Sequence, residues 1–291
     1  MLHGVVVKAY NGFYYVQSEK LLLSCKVRGR FKKERFTLMV GDEVRCSLTG
    51  HNEGLIEEIL PRRSLLRRPT VANVDQVVIT FAAANPDIST TLVDKLLVLA
   101  ESSHLSALLC INKSDLADSE ELSRIITIYA AIGYPVLLTS VKTGQGMAEL
   151  RQRLIGRVTA FAGPSGAGKS SLLNAVEPGL TLVTGEVSAK IGRGRHTTRY
   201  AQLLPLSGGG FVVDTPGFSA TEFTELDPAC LGLCFPEIAG LAGGCKFSTC
   251  LHDREPQCAV KDAVQTRDVE LSRYESYKAI LQELRDTKKG Y

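Results

Sequence analysis

The sequence predicts a chain of three parts: a small β-barrel, an α/β domain with a mostly parallel sheet, and a Cys/His-rich segment that ends in a helix. Three observations predict it. Residues 1–68 hold short apolar bursts between turn signals, residues 69–228 alternate helical periodicity with apolar strands, and residues 229–291 crowd three cysteines and a histidine ahead of an amphipathic run. With 291 residues, 44% hydrophobic and 22% charged, the chain has room for such cores, and its composition excludes a disordered, collagen-like or rod-like protein.

The barrel comes first. From Gly4 the bursts GVVVKA, FYYVQ, LLLSCKV, TLMV and VRCSL are separated by NG, SEK, RGRFKK and GD, and no helix of useful length fits there. Short strands at this spacing suit a small closed barrel, of which the oligonucleotide-binding (OB) fold is one kind. The loop from Arg28 to Arg35 sets five cations around Phe31, a pattern that suits phosphate contacts with one stacked base and equally a solvated turn with Phe31 packed inward. PRRSLLRRP, 61–69, reads as a basic linker bounded by prolines, with a domain boundary near residue 70.

Charge is uneven along the chain. The formal total is +3, but residues 1–68 carry 13 Lys or Arg against 7 Asp or Glu, which leaves 21 against 24 for the rest. The N-terminus MLHGVVVKAYNGFYYV lacks the apolar core of a leader, and no later stretch of eighteen residues is free of charge or strong polarity, so a cytoplasmic protein without membrane contact is expected. Cys25, Cys46, Cys110, Cys230 and Cys234 are scattered and read as reduced thiols. A monomer is expected, because no long apolar surface element is left unassigned.

The α/β domain follows from alternation. QVVITFAA (76–83), ALLCI (107–111), PVLLTS (135–140), TAFAG (159–163) and FVVD (211–214) read as strands; LVDKLLVLAES (92–102) and ELSRIITIYAA (121–131) read as helices. GPSGAGKS, 163–170, follows a strand and precedes the helical run SLLNAV, satisfying G-x-x-x-x-G-K-[ST] in the setting that motif requires. Amides along Gly163, Gly166, Ala167, Gly168, Lys169 and Ser170 would cradle a β-phosphate, with Ser171 continuing the turn. Lys169 would reach the β and γ oxygens and the Ser170 hydroxyl would ligate Mg²⁺.

Two further elements suit the same ligand. FVVDTPG, 211–217, puts Asp214 where it would hold Mg²⁺ through water and the Gly217 amide where it would meet a γ-phosphate. INKSD, 111–115, follows a strand; the Asp115 carboxylate would accept the N1 and N2 donors of guanine, a pair adenine lacks, while Asn112 supports the base and its neighbouring loop. The Lys113 stem would cover the ring face, and SVK, 140–142, would offer the Ser140 and Val141 amides to guanine O6, with Lys142 alongside.

Taken together, NKSD, SVK, the phosphate loop, a threonine within GRGRHTT and DTPG resemble the five guanine-nucleotide motifs of translation-factor-type GTPases, but in rotated order. Those run phosphate loop, threonine, DxxG, NKxD, SAK; here NKSD and SVK come first, a circular permutation. With a barrel in front and a Cys/His cluster behind, nearly the whole chain resembles one family, the bacterial ribosome small subunit-dependent GTPase A. The resemblance implies an OB-fold barrel over 1–68, a circularly permuted P-loop GTPase domain over 69–228 and a zinc-binding domain with a C-terminal helix over 229–291. It also implies GTP and GDP as ligands, hydrolysis stimulated by the small ribosomal subunit, contact with its rRNA and a role in late maturation of that subunit.

KIGRGRHTTRYAQLLPL, 190–206, is rich in Gly and cations and reads as a mobile loop with a strand-like end. Thr197 or Thr198 would complete the Mg²⁺ shell, with Thr198 preferred. Phe218 follows Gly217 where familiar GTPases place a water-orienting glutamine, so intrinsic turnover is expected to be low and stimulation large. His196 is the nearest group for positioning water, and phosphate or RNA contact is its other reading. Arg193, Arg195 and Arg199 would neutralise transition-state charge or touch RNA.

GCKFSTCLHDREPQC, 244–258, supplies Cys245, Cys250, His252 and Cys258, three thiolates and an imidazole that suit one closed, tetrahedral structural Zn²⁺ site. FPEIAGLAGG, 235–244, reads as a short helix and linker. Beyond it Val260, Val264, Leu271, Tyr274, Leu281 and Leu284 form an apolar stripe, and Lys261, Arg267, Arg273 and Lys278 a charged face. Two other functions fit less of the pattern: a GTP-dependent switch for a non-ribosomal RNA or protein, and an ATPase with a nucleic-acid-binding barrel, against which NKSD argues.

Overall fold

The computed structural model describes residues 1–19, 21–28, 37–67, 69–116, 119–180, 201–218 and 226–289. The chain divides into two compact units, 1–77 with 147–161 and 170–218, and 78–146 with 162–169 and 219–291. No helix among the described residues is long and apolar enough to cross a membrane.

In the first unit, β1 (Leu2–Tyr10), β2 (Phe13–Ser18), β3 (Leu21–Val27), β4 (Glu43–Gly50) and β5 (Glu53–Ile59) close into a barrel in the order β1-β2-β3-β5-β4. Closure needs β1 antiparallel to β4, from Leu2 opposite Cys46 to Val5 opposite Glu43, and β3 parallel to β5. Alternate residues point inward, and Val6, Val16, Leu23, Val44 and Ile56 fill the barrel. One strand differs from expectation. TLMV, 37–40, is not a strand; Leu38 and Val40 are buried from an irregular segment, and the fifth strand is EGLIEEI. Glu53, Glu57 and Glu58 lie on the outer side of that strand and mask its alternation of Gly54 and Ile56 with solvent-facing residues.

The basic stretch 61–69 is more than a linker. β6 (Leu65–Arg67) and β7 (Thr70–Ala72) form a hairpin. Arg62 donates to both oxygens of the fully buried Asp42, Nε to Oδ1 at 2.6 Å and Nη2 to Oδ2 at 2.8 Å, and Nη2 also donates to the Thr37 carbonyl. Arg63 pairs with Asp75 and Glu43. Arg62 thus ties the segment to the barrel, while Arg63 stays on the surface with its charge paired. Arg28, at the start of the cationic loop, pairs with Glu57 at 2.9 Å; residues 29–36 of that loop lie outside the described residues.

Six strands form one sheet in the order β10-β9-β8-β11-β13-β12. They are β8 (Gln76–Ala82), β9 (Ser106–Asn112), β10 (Val136–Leu138), β11 (Val158–Ala162), β12 (Gln202–Pro205) and β13 (Phe211–Phe218). β8 is buried at all seven positions, as a strand covered on both faces must be. The helices of this part of the chain are α1 (Thr90–Ser102) and α2 (Ser119–Ile132) in the second unit, α3 (Met147–Leu154) in the first, and α4 (Lys169–Val176). α1 starts at its N-cap Ser89 and buries Val93, Leu96, Leu97 and Ala100 at helical spacing. α3 has no counterpart in the sequence reading, because its charges leave only Leu150 and Leu154 buried.

The second unit ends in a helical segment. After a single turn at Pro236–Ala239, α5 (Ala259–Thr266) and α6 (Leu271–Lys289) are separated at Arg267, whose φ of +66° ends the first of them. Tyr274, Tyr277, Ile280, Leu281 and Leu284 of α6 pack on Val98 of α1, on Phe235 and Ile238, and on Cys258. The apolar stripe thus lies within the protein core. Two details overturn the expected faces: Leu271 is exposed, and Arg273, expected on the charged face, is buried in line with Tyr277, Ile280 and Leu284.

Candidate functional site

The second unit brings three of the predicted motifs together. The loop after β11, residues 163–168, leads into α4 at Lys169. Two of its glycines are required by space and backbone: at Gly163 (φ +129°) a Cβ would lie 2.0 Å from the Thr80 carbonyl oxygen, and at Gly168 (φ +90°) 2.3 Å from Asn112 Nδ2. That second approach makes room for a hydrogen bond. Buried Asn112, the last residue of β9, donates from Nδ2 to the Ala167 carbonyl at 3.0 Å, so the NKSD asparagine ties its own loop to the phosphate loop.

Lys169 Nζ donates to the carbonyls of Gly163 and Pro164, 2.8 Å each. Burial pulls its pKa below the ordinary lysine value, so the ammonium sits where an anionic partner would stabilise it more than two neutral carbonyls do. Lys113, in the left-handed region at φ +58°, donates to the carbonyl of Asn85.

Asp115 and Ser140 meet at the far side. Ser140 Oγ donates to Asp115 Oδ1 at 2.6 Å, and Lys142 Nζ lies 3.9 Å from Oδ2. The serine hydroxyl, with the lysine charge as a weaker addition, holds the Asp115 carboxyl below the ordinary carboxylate range. Val141 is exposed beside them. A carboxylate fixed in this way, next to backbone amides, is an acceptor for a pair of N–H donors.

Ser170, Ser171, Asp214 and Gly217 belong to the first unit. Ser170 and Ser171 lie in the first turn of α4. Asp214 lies within β13, opposite Gln202 of β12, so DTPG continues the strand where the sequence reading ended it at the acid. His196, Thr197, Thr198, Arg193, Arg195 and Arg199 lie outside the described residues. Gln145, Thr139 and Asn85 brace the base-side loops by accepting from the Ser114 hydroxyl, the Ser114 amide and Lys113, and no spacing rule in the sequence singles them out.

Cys245, Cys250, His252 and Cys258 converge, with their four donor atoms within 4.8 Å of one another. Cys245 Sγ lies 3.8 Å from Cys258 Sγ, and His252 Nδ1 lies 3.5 Å from Cys245 Sγ and 3.4 Å from Cys258 Sγ. Metal–sulfur and metal–nitrogen bonds of about 2.3 and 2.05 Å at a tetrahedral angle would separate donors by about 3.8 and 3.5 Å, so the donor set fits a zinc-sized ion. Around it Tyr274 and Tyr277 donate their hydroxyls to the carbonyls of His252 and Leu251, 2.8 Å each, and Glu255 accepts from the amides of Leu251 and Asp253.

A sequence model of the RsgA GTPase matches residues 59–224, and one of the RsgA N-terminal domain matches residues 3–56. The chain belongs to the RsgA GTPase family. Among its relatives, a small ribosomal subunit biogenesis GTPase RsgA from Shouchella clausii (strain KSM-K16) is 47% identical over 294 residues and all of both chains. One of the same description from Moorella thermoacetica (strain ATCC 39073 / JCM 9320) is 46% identical over 283 residues, 97% of each. The crystal structure of YjeQ from Thermotoga maritima superposes with a TM-score of 0.86 at 40% identity, over 97% of this chain and 98% of that one. YloQ, described as a circularly permuted GTPase, gives 0.84 at 38% identity, over 98% and 96%. The RsgA fold is thus that of an OB barrel followed by a GTPase core whose base-side motifs precede its phosphate loop.

Proposed function

We propose that this chain hydrolyses GTP under stimulation by the small ribosomal subunit, which it contacts through rRNA during late maturation of that subunit. The observation that carries the nucleotide assignment is the joining of base-side and phosphate-side loops by Asn112, with Asp115 oriented by Ser140. In this reading Asp115 accepts the guanine N1 and N2 donors, the Ser140 and Val141 amides face O6, and Lys113 with Lys142 flanks the base. Amides of Gly163, Gly166, Ala167, Gly168 and Lys169 hold the phosphates. Lys169 compensates charge that builds on the β–γ bridge and γ oxygens.

Ser170 and Asp214 offer hard oxygen donors and would hold the Mg²⁺ that arrives with GTP, which neutralises phosphate charge when bound. Thr198 would sense the γ-phosphate, Gly217 would donate its amide to it and His196 would orient water. Because Phe218 stands where a water-orienting amide would, the partner supplies part of the catalytic arrangement. The names of the relatives support the partner: two carry small ribosomal subunit biogenesis in their description.

The test is GTP turnover by the purified protein alone, with small subunits and with large subunits. Selective stimulation by small subunits is expected. Equal rates in all three would overturn the ribosomal reading and leave a GTP-dependent switch for another RNA or protein.

The Cys/His cluster is assigned to one structural Zn²⁺, held by Cys245, Cys250, His252 and Cys258, with all four positions filled by protein. Elemental analysis is expected to find one zinc per chain, and Cys250→Ser to lose it together with the near-ultraviolet signal of Tyr274 and Tyr277. A well-folded wild type without zinc would overturn the assignment.

A further inference from the structure

We infer that Gln145 is a specificity-positioning residue of the nucleotide site, holding Asp115 and Ser140 in the register that distinguishes guanine from bases without its 2-amino group. This rests on the proposed base-side reading of those two residues. Ser140 and Asp115 are on different loops, and the hydroxyl-to-carboxylate bond between them aims the carboxylate only if both loops are fixed. Gln145 touches both. Its side-chain Oε1 accepts from Ser114 Oγ at 2.9 Å, one residue before Asp115, and its backbone carbonyl accepts from the Ser140 amide at 3.1 Å.

The position of Gln145 is itself constrained. Gly146 follows at φ +69°, and a Cβ there would lie 2.2 Å from the Leu138 carbonyl oxygen, so the chain is pressed against the end of β10. Ser140 is buried, its Oγ accepts from the Thr143 amide at 3.2 Å and its carbonyl accepts from the Gly144 amide at 2.9 Å. The turn 140–145 is therefore closed on itself, and the Gln145 side chain is its bond to the Ser114 hydroxyl. Ser114 is otherwise held through its amide, which donates to the Thr139 carbonyl at 3.1 Å. Without the Gln145 acceptor the NKSD loop keeps the Ser114 amide and the Asn112 and Lys113 side chains as anchors, and the hydroxyl next to Asp115 loses its tie to the turn.

The side chain is used here as an acceptor, which gives a discriminating pair of variants. Gln145→Leu keeps the shape and removes the acceptor; Gln145→Glu keeps an acceptor oxygen. Affinities for GDP and for inosine diphosphate, which lacks the 2-amino group, would be measured by calorimetry on the full-length protein, with kcat at saturating GTP alongside. The bond is made within the protein and not to the nucleotide, so its loss acts through preorganisation, and re-ordering one side chain on binding corresponds to about three- to tenfold weaker GDP binding. Gln145→Leu is expected to show that loss, a reduced preference for GDP over inosine diphosphate and an unchanged kcat, and Gln145→Glu to stay within twofold of wild type. A Gln145→Leu protein with wild-type GDP affinity and preference would overturn the inference. A wild type that binds the two nucleotides equally would instead overturn the base-side reading of Asp115.

Discussion

Arg273→Ala is expected to destabilise the second unit by about 3–5 kcal/mol, the cost of stranding buried charge after one partner of a buried ion pair is removed. Arg273 is 1% exposed. Its Nε and Nη2 donate to the two oxygens of Glu237 at 2.7 and 3.2 Å, and its Nη1 donates to Asp94 Oδ1, which also accepts from the Tyr129 hydroxyl at 2.7 Å. The guanidinium lies 4.5 Å from the Phe235 ring centroid and 5.6 Å from that of Tyr129. Burial opposes the charge, but the two carboxylates outweigh it and hold Arg273 protonated beyond the ordinary arginine range. One side chain on α6 thereby joins α1, α2 and the turn at 236–239. The check is urea unfolding followed by near-ultraviolet circular dichroism, which reports the packed tyrosines of this unit. A midpoint within error of wild type would show the pairing to be dispensable. Replacing Arg273, Asp94 and Glu237 together by apolar residues of similar size should cost much less than Arg273→Ala, because no charge is then left unpaired.

That cluster also marks where reading the sequence stops. Asp94 and Arg273 are 179 positions apart, and each sits in a helical pattern that gives no sign of the other. Helical spacing sets Arg273 among Tyr277, Ile280 and Leu284 on the one buried face of α6; it is the charge of the side chain that suggests the solvent side, and the partners that make burial tolerable are remote in sequence. The same limit explains the barrel strand at 53–59, whose outward glutamates hide a buried alternation, and the arginines at 62 and 63, which look like linker charge and are fixed by Asp42, Asp75 and Glu43. The phosphate loop, NKSD and the Cys/His cluster were legible for the opposite reason. Each is a contiguous segment whose chemistry dictates its own spacing: glycines where a backbone must approach, donors at the reach of one ion. Asn112 lies between these cases. Its residue type was legible, while its bond to Ala167 depends on β9 and β11 delivering two loops to one place.

Lys169→Ala is expected to lower stimulated GTP hydrolysis by at least about 10²-fold, since removing a single preorganised donor from developing transition-state charge typically costs 10²–10³ in kcat. The ammonium is placed for this by the loop itself. Two carbonyls, Gly163 and Pro164, accept from it at 2.8 Å, and its surroundings are dry enough to depress its pKa. Both effects favour exchange of carbonyl contacts for phosphate oxygens, because a buried cation gains more from an anion than from a neutral dipole. The loss should fall on the chemical step. Single-turnover hydrolysis with saturating GTP and small subunits isolates that step, while GDP affinity and circular dichroism report whether the loop and fold survive. Lys169→Met, which keeps the apolar stem and removes only the charged end, should be as slow as Lys169→Ala. A rate within threefold of wild type in either variant would show that charge compensation at the phosphates comes from elsewhere, and the assignment of Lys169 as a catalytic residue would fall.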